Sequence, residues 1–516
     1  MLLASTAQVD AAESPRLVVN IVVDRMTGDE LSRYCDNFSS NGLRLFMEQG
    51  YRCDEACYPF MVNRLSGCAT LSTGTVPAVH GIVGARWWDY NSGQEFTVEG
   101  DSSSSSFNCD YDQYRVSNKN LTVATLGDRL LEYSPESRVV SIGSDAAATI
   151  VLGGQNSNDV WWLDNARARW TTSTKYRVEL PVWVKKYNSG DYARNQLSEP
   201  WRLLYETERY HNGTQTEVLP PTSNVKAVGV KGDDIARRLV SPASNSIVAD
   251  FVKEAVIYNR LGSDDKVDLL NVYFGAPREI EERYGRLSRE KEDMYYRLDT
   301  ALAELMRFVS AQCGGRVLFV LTSDGGSENV SRARQFNVQQ SIFLVSSFLS
   351  ATYGGDNWVL GYSDGNLFLN RMQIFSKGLD LAAVQRQIAS FMLQFRGVAA
   401  TCTASELTVS GGKGQLAERV ANSFNPKRSG DIVVVLQSGW TERLADNDER
   451  QAAGGSLYDS NTVVPIIFYG SGINSGSLGQ RVETASLAAT LARIMRIPTP
   501  SAATAPAIGA VVEQFK

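Results

Sequence analysis

Histidine is nearly missing from this chain: there are two in 516 residues, His80 and His211. A centre that needs three imidazole ligands is therefore excluded by count. No apolar run approaches the roughly 18–20 residues that a membrane-spanning helix requires. The longest runs, IVVVLQ and VVPIIFYG, are strand-sized. There is no excess of positive charge either: the net charge is −6 and the pI is about 5.4, against a nucleic-acid surface. The seven cysteines (Cys35, Cys53, Cys57, Cys68, Cys109, Cys313 and Cys402) are scattered and odd in number. Cys53 and Cys57 could pair with each other or with Cys35 in an oxidising compartment. Buried free thiols are the alternative, above all for Cys68, Cys313 and Cys402. Neither cysteine of the CDEAC stretch has a histidine nearby, which argues against a structural zinc site. No internal repeat is present.

What is there is an ordinary globular composition, 43% hydrophobic and 21% charged, in a chain long enough for one elaborated α/β domain or a core with inserts. LVVNIVVDRM (17–26), RVLFVLTSDGG (316–326), GDIVVVLQSGW (430–440) and TVVPIIFYGSGI (462–473) read as strands ending in acidic or glycine-rich tips. SRVVSIG (137–143) and VDLLNVYF (267–274) are two more. Helical stretches alternate with them, with apolar residues at helical spacing at Met294, Leu298, Leu302 and Leu305. SLAATLARIMRI (486–497) is another helix, ended by Pro498. This alternation predicts a mostly parallel sheet sandwiched by helices. Two regions break the pattern, about 160–260 and 327–428, and read as insertions forming a cap over one domain spanning 15–516. Residues 1–14 are either the remnant of a signal peptide or an N-terminal tail.

NRLSGCATLSTGTVPAVHGIVG (63–84), NLTVATLGDRL (120–130), FNPKRSGDIVVVLQSGW (424–440) and the closing strand and helix resemble, in order, the alkaline phosphatase superfamily. The resemblance is to its type I phosphodiesterase and PafA-like phosphomonoesterase branch. It implies an alkaline-phosphatase-like α/β core and two zinc ions held by aspartates and histidines.

Laid on that pattern, Asp24 and Asp324 stand at metal-carboxylate positions. Gly325, Gly454 and Pro277 stand where the resemblance implies the remaining ligands. Arg64 takes the position of the nucleophilic hydroxyl and Cys68 that of a motif histidine. Ala85 replaces the asparagine that donates to phosphate, and Asp145 lies where a cationic pair is implied. His80 belongs to the motif but is not a ligand, and His211 reads as a surface residue. Ser66, two residues from Arg64, could serve as nucleophile only in a remodelled turn. A guanidinium is always protonated and cannot attack phosphorus. Arg64 is instead expected to pair with Asp24 or Asp324, one cation replacing two.

These substitutions predict a pseudoenzyme with no cofactor, acting as a binding or assembly component. Its expected partner is an unidentified protein or envelope ligand, after export to the periplasm or cell envelope. The alternative is an active phosphomonoesterase or phosphodiesterase with a reduced or relocated metal site. A third reading is glycan binding through Trp87, Trp88, Trp161, Trp162, Trp170, Trp183 and Trp201, against which stands the usual packing role of such rings.

Overall fold

The computed structural model describes residues 14–107, 115–212, 232–410 and 414–515. The N-terminal segment 1–13 and Cys109 lie outside the described residues. The strands that matter are β1 (Leu17–Val23), β2 (Tyr51–Cys57), β3 (Val139–Gly143), β4 (Asp159–Asp164), β5 (Arg169–Thr171), β6 (Asp268–Phe274) and β7 (Val317–Thr322). They are followed by β8 (Val359–Ser363), β9 (Asn366–Leu369), β10 (Val398–Thr403), β11 (Ile432–Leu436) and β12 (Val463–Gly470). The main sheet runs β2-β12-β7-β1-β6-β3-β4-β5, with two short strands beside β2. Its centre is parallel, β7 to β1 to β6 to β3 to β4. β12 and β5 run antiparallel to their inner neighbours.

The centre of the sheet is covered on both faces, and β1 accordingly buries all seven residues of LVVNIVV. Its one polar side chain, Asn20, is directly opposite Asn271 of β6 and donates to that carboxamide oxygen at 3.1 Å. The cross-strand bond occupies the Asn20 amide N–H, a donor that would otherwise be costly at this depth. Helix α1 (Arg64–Thr73) packs on α2 (Ala146–Gly153), and α3 (Ala243–Tyr258) packs on the long α5 (Arg289–Gln312). Between β6 and α5 lies α4 (Ala276–Tyr284), with Pro277 in its first turn, where the missing N–H costs nothing.

Two expectations change here. GDIVVVLQSGW is not a strand of the main sheet. Its β11 is an inner strand of a separate antiparallel sheet, β8-β9-β11-β10, with helices from 338–410 packed on it. A buried apolar run fits either sheet equally well, so composition could not tell them apart. Within 160–260, β4 and β5 extend the main sheet, and Trp161, Trp162 and Trp170 are fully buried in and around it. Cys53 and Cys57 are free thiols, as is Cys35. The first two lie four residues apart along β2, about 13 Å at strand rise, beyond disulfide reach.

Candidate functional site

The carboxyl ends of β1, β3, β6 and β7 and the first turn of α1 meet at a cavity of about 620 Å³, lined by Arg25, Asn63, Arg64, Arg278, Glu282 and Asp324 among others. In open α/β sheets this edge is where ligands bind. The second sheet supplies the opposite wall through Leu360–Asp364, with Glu442 from a short strand paired with Gln335–Asn337 beside it.

β1 ends in Asp24, which is fully buried and accepts from Arg278 Nε at 2.8 Å through Oδ2. Oδ1 has no hydrogen-bond partner among the described residues. The next residue, Arg25, is held at φ 57°, a strained conformation for a residue with a side chain. That turn aims its N–H at Asp324 Oδ1 (3.1 Å) and its guanidinium at Glu281 (3.0 Å) and Glu282 (2.8 Å). Asp324, just beyond β7, also accepts from the Tyr273 hydroxyl at 2.8 Å. Burial, reinforced by the charge of Asp24, pushes its carboxyl well above the usual carboxylate range. Cys68 Sγ lies 3.9 Å from Asp324 Oδ2. Burial, and then Asp324, push that thiol far up as well.

Arg64 opens α1 behind its N-cap Asn63. Its partner is neither Asp24 nor Asp324, as expected from sequence, but Asp145. The reason is local. Asp145 caps α2, accepting the Ala148 N–H at 2.9 Å, and α1 packs on α2. The Arg64 side chain thus reaches the capping carboxylate first. Asp24 is already taken by Arg278, whose Nη1 is 3.3 Å from Glu282 and whose Nη2 is 3.6 Å from Glu279 and 3.9 Å from Asp145. Burial works to raise the carboxyl of Asp145, but Arg64 and Arg278 outweigh it and hold it below its ordinary value.

The other positions fall around this cluster. The Ala85 N–H donates to Asp364 Oδ2 at 2.8 Å, from the turn between β8 and β9. Pro277 is buried at the start of α4. Gly454 packs on the loop of Gly325: a Cβ on Gly454 would lie 3.1 Å from the Gly326 carbonyl and 3.6 Å from Arg25 Nε. Gly67 lets α1 approach the same loop, since a Cβ there would be 1.9 Å from the Asp324 carbonyl oxygen. The Ser66 hydroxyl is fully buried and spent on Asn63, donating to its carbonyl and accepting from its N–H. His80 bonds Thr70 and Ile82, and His211 bonds Glu292. Trp88 lines the cavity. Trp201 lines a separate one of about 420 Å³ between α3, α5 and residues 196–204. Behind the site, fully buried Lys291 contacts Glu281 and lies 2.8 Å from Glu30, continuing the ionic chain from Arg25.

Arg278, Arg25 and Lys291 were not found from sequence. The only signal was Arg278 directly following Pro277, a position already marked as that of a missing ligand. Zinc would need three or four converging donors. Among the described residues no group of three or more His, Cys, Asp or Glu side chains is placed to hold a metal ion. The side chains of the described residues do not fit a two-zinc centre.

A family model described as type I phosphodiesterase / nucleotide pyrophosphatase matches residues 18–458. The chain belongs to that family. Within the alkaline phosphatase superfamily it falls in the PafA-like branch. It is 26% identical to alkaline phosphatase PafA of Elizabethkingia meningoseptica, over 98% of this chain and 95% of that protein. It is 27% identical to a Myroides odoratus protein named calcium-transporting ATPase, over 97% and 95%. The crystal structure of PafA superposes with a TM-score of 0.91 at 24% identity, covering 98% of this chain and 100% of that one. The family member described here therefore has the PafA fold, a mixed α/β sandwich around a mostly parallel sheet.

Proposed function

We propose that this phosphodiesterase-family protein is a non-catalytic member that binds rather than hydrolyses. The observation that carries the reading is Arg64. At the head of α1, where the family resemblance puts a hydroxyl nucleophile, stands a guanidinium ion-paired with Asp145. It has no lone pair to attack with. The hydroxyl of Ser66, two residues along, is buried in the helix cap. The donor at the phosphate-asparagine position is reduced to the Ala85 N–H, which is occupied by Asp364. On this reading the cavity holds a ligand or the surface around it holds a partner, an envelope protein or polymer met after export. The cavity's position at the carboxyl edge of the parallel strands, where open α/β sheets bind ligands, supports the location.

Purified protein should contain no stoichiometric zinc and should leave an aryl phosphate and an aryl phosphodiester unhydrolysed. Turnover that survives repurification, with two zinc ions per chain, would refute the proposal. A second reading, a hydrolase with a reduced metal site, has one observation in its favour: the unpartnered Oδ1 of buried Asp24. Turnover that needs one divalent ion and is lost in Asp24→Asn would establish it instead.

A further inference from the structure

The misfit to zinc has a positive counterpart in the arrangement around Arg278. Four carboxylates surround its guanidinium, and they are distributed around its edge rather than directed at one point. Asp24 takes Nε at 2.8 Å, Glu282 takes Nη1 at 3.3 Å, and Glu279 and Asp145 face Nη2 at 3.6 and 3.9 Å. A metal ion is a point that gathers its ligands to one centre at about 2 Å. A guanidinium is a planar fork whose donors diverge. The carboxylates here match the fork, and among the described residues no three acidic, cysteine or histidine side chains converge as a metal demands.

Partners of the partners fit the same plan. Glu282 is shared with Arg25 and Asp145 with Arg64, so each keeps a cation if Arg278 is lost. Asp24 does not. It is fully buried, and Arg278 is the one cation within ion-pair distance of it among the described residues. Arg278 comes from the first turn of α4, fixed by Pro277 beside it. We infer that Asp24, Asp145, Glu279 and Glu282 form a guanidinium-recognising seat, with Arg278 as its resident ligand and the positioning residue that holds Asp24 in place at the sheet edge. The seat accepts a planar cation of this class and does not accept a spherical divalent ion.

Shortening the side chain vacates the seat and makes the claim testable by refilling it. Arg278→Ala should lower the melting temperature by several degrees. Millimolar methylguanidinium, far below denaturing concentration, should restore much of that loss. Methylammonium, zinc and manganese at the same concentration should restore little, and wild type should respond to none of the four nor to EDTA. Arg278→Ala stability equal to wild type, or equal rescue by methylammonium or zinc, would overturn the inference. If Arg278→Ala fails to fold, Arg278→Lys decides. A point charge should leave the protein measurably less stable than the fork, and equal stability would show that geometry is not read. The inference stands apart from the proposed function. Ester hydrolysis with guanidinium-selective rescue would refute only the proposed function. An inactive protein whose melting temperature rises with zinc would refute only the seat.

Discussion

Asp145 joins two elements through one carboxylate: it accepts the Ala148 N–H that starts α2 and pairs with the guanidinium of Arg64 that starts α1. The two side chains are 21% and 23% exposed, so the pair is mostly withdrawn from water. Removing Asp145 strands Arg64, and removing Arg64 leaves Asp145 with only the more distant Arg278. Arg64→Ala should cost about 3 kcal/mol, the low end of the range for breaking a buried pair. Asp145→Asn keeps the cap and loses the charge, whereas Asp145→Ala loses both and should cost about 1 kcal/mol more. The Arg64→Ala, Asp145→Asn double variant should lose less than the sum of the singles. Additive, near-zero values in chemical denaturation would mean that the pair contributes nothing.

His80 sets a second expectation, in acid. Its Nδ1 accepts the Ile82 N–H at 3.1 Å, so the ring proton sits on Nε2, 3.2 Å from the Thr70 hydroxyl. Burial, helped by Arg428, pulls the imidazole pKa from 6.5 down to about 3. Below about pH 6.5 the unfolded chain takes a proton here and the folded chain does not. Stability is therefore lost as pH falls from about 6.5 towards 3, by about 1.4 kcal/mol per unit in mid-range. His80→Asn, which retains an acceptor for Ile82, should flatten the stability-versus-pH curve by about one proton over pH 6–4. Parallel curves for the two proteins would show that His80 can be protonated in place.

Lys291 is the interior end of the ionic chain. It has no solvent exposure and is shared by Glu30 and Glu281, with the Tyr295 hydroxyl also on Glu30 at 2.8 Å. Lys291→Met leaves two buried carboxylates short of a cation and should cost about 3–5 kcal/mol. Lys291→Met combined with Glu281→Gln should recover part of that loss, because Arg25 still has Glu282. A double variant no better than Lys291→Met alone would mean that the damage is one of packing, not of charge.

The sheet edge was legible because strand ends leave marks in sequence. Asp24 and Asp324 each follow an apolar run, and both lie at the carboxyl edge of the main sheet. The second sheet was not legible: Ile432–Leu436 is as apolar as a central parallel strand, and only tertiary pairing reveals its antiparallel neighbours. Within the site, short side chains were placed well and long ones poorly. An aspartate's reach is set by its own backbone, so its position is inherited from the strand. An arginine's partner is chosen among all carboxylates within several ångströms, which sequence order does not give. Arg64 was expected on Asp24 or Asp324; it pairs with Asp145, and Arg278 holds Asp24 instead. That Arg64 stands at the site was foreseeable, but the added arginines Arg25 and Arg278 and the pairing were not.

Restoring a nucleophile should not restore chemistry. Arg64→Thr returns a hydroxyl to the head of α1, but several other requirements remain unmet. A threonine hydroxyl needs a metal or base to attack, and among the described residues no third donor joins Asp24 and Asp324 to hold a metal. One of the two Asp24 oxygens, Oδ2, is bonded to Arg278. Charge developing on the transferred group would find the Ala85 N–H already given to Asp364, and losing one such donor costs about 10²–10³-fold in rate. The substitution also leaves Asp145 with only the more distant Arg278, so the variant should be less stable as well. Its turnover of aryl phosphate mono- and diesters should equal the buffer background with and without added zinc, measured on protein shown to be folded by its melting transition. Zinc-dependent turnover by this single variant would prove that ligands assemble which the resting arrangement does not show. It would make the chain a dormant hydrolase rather than a binding protein.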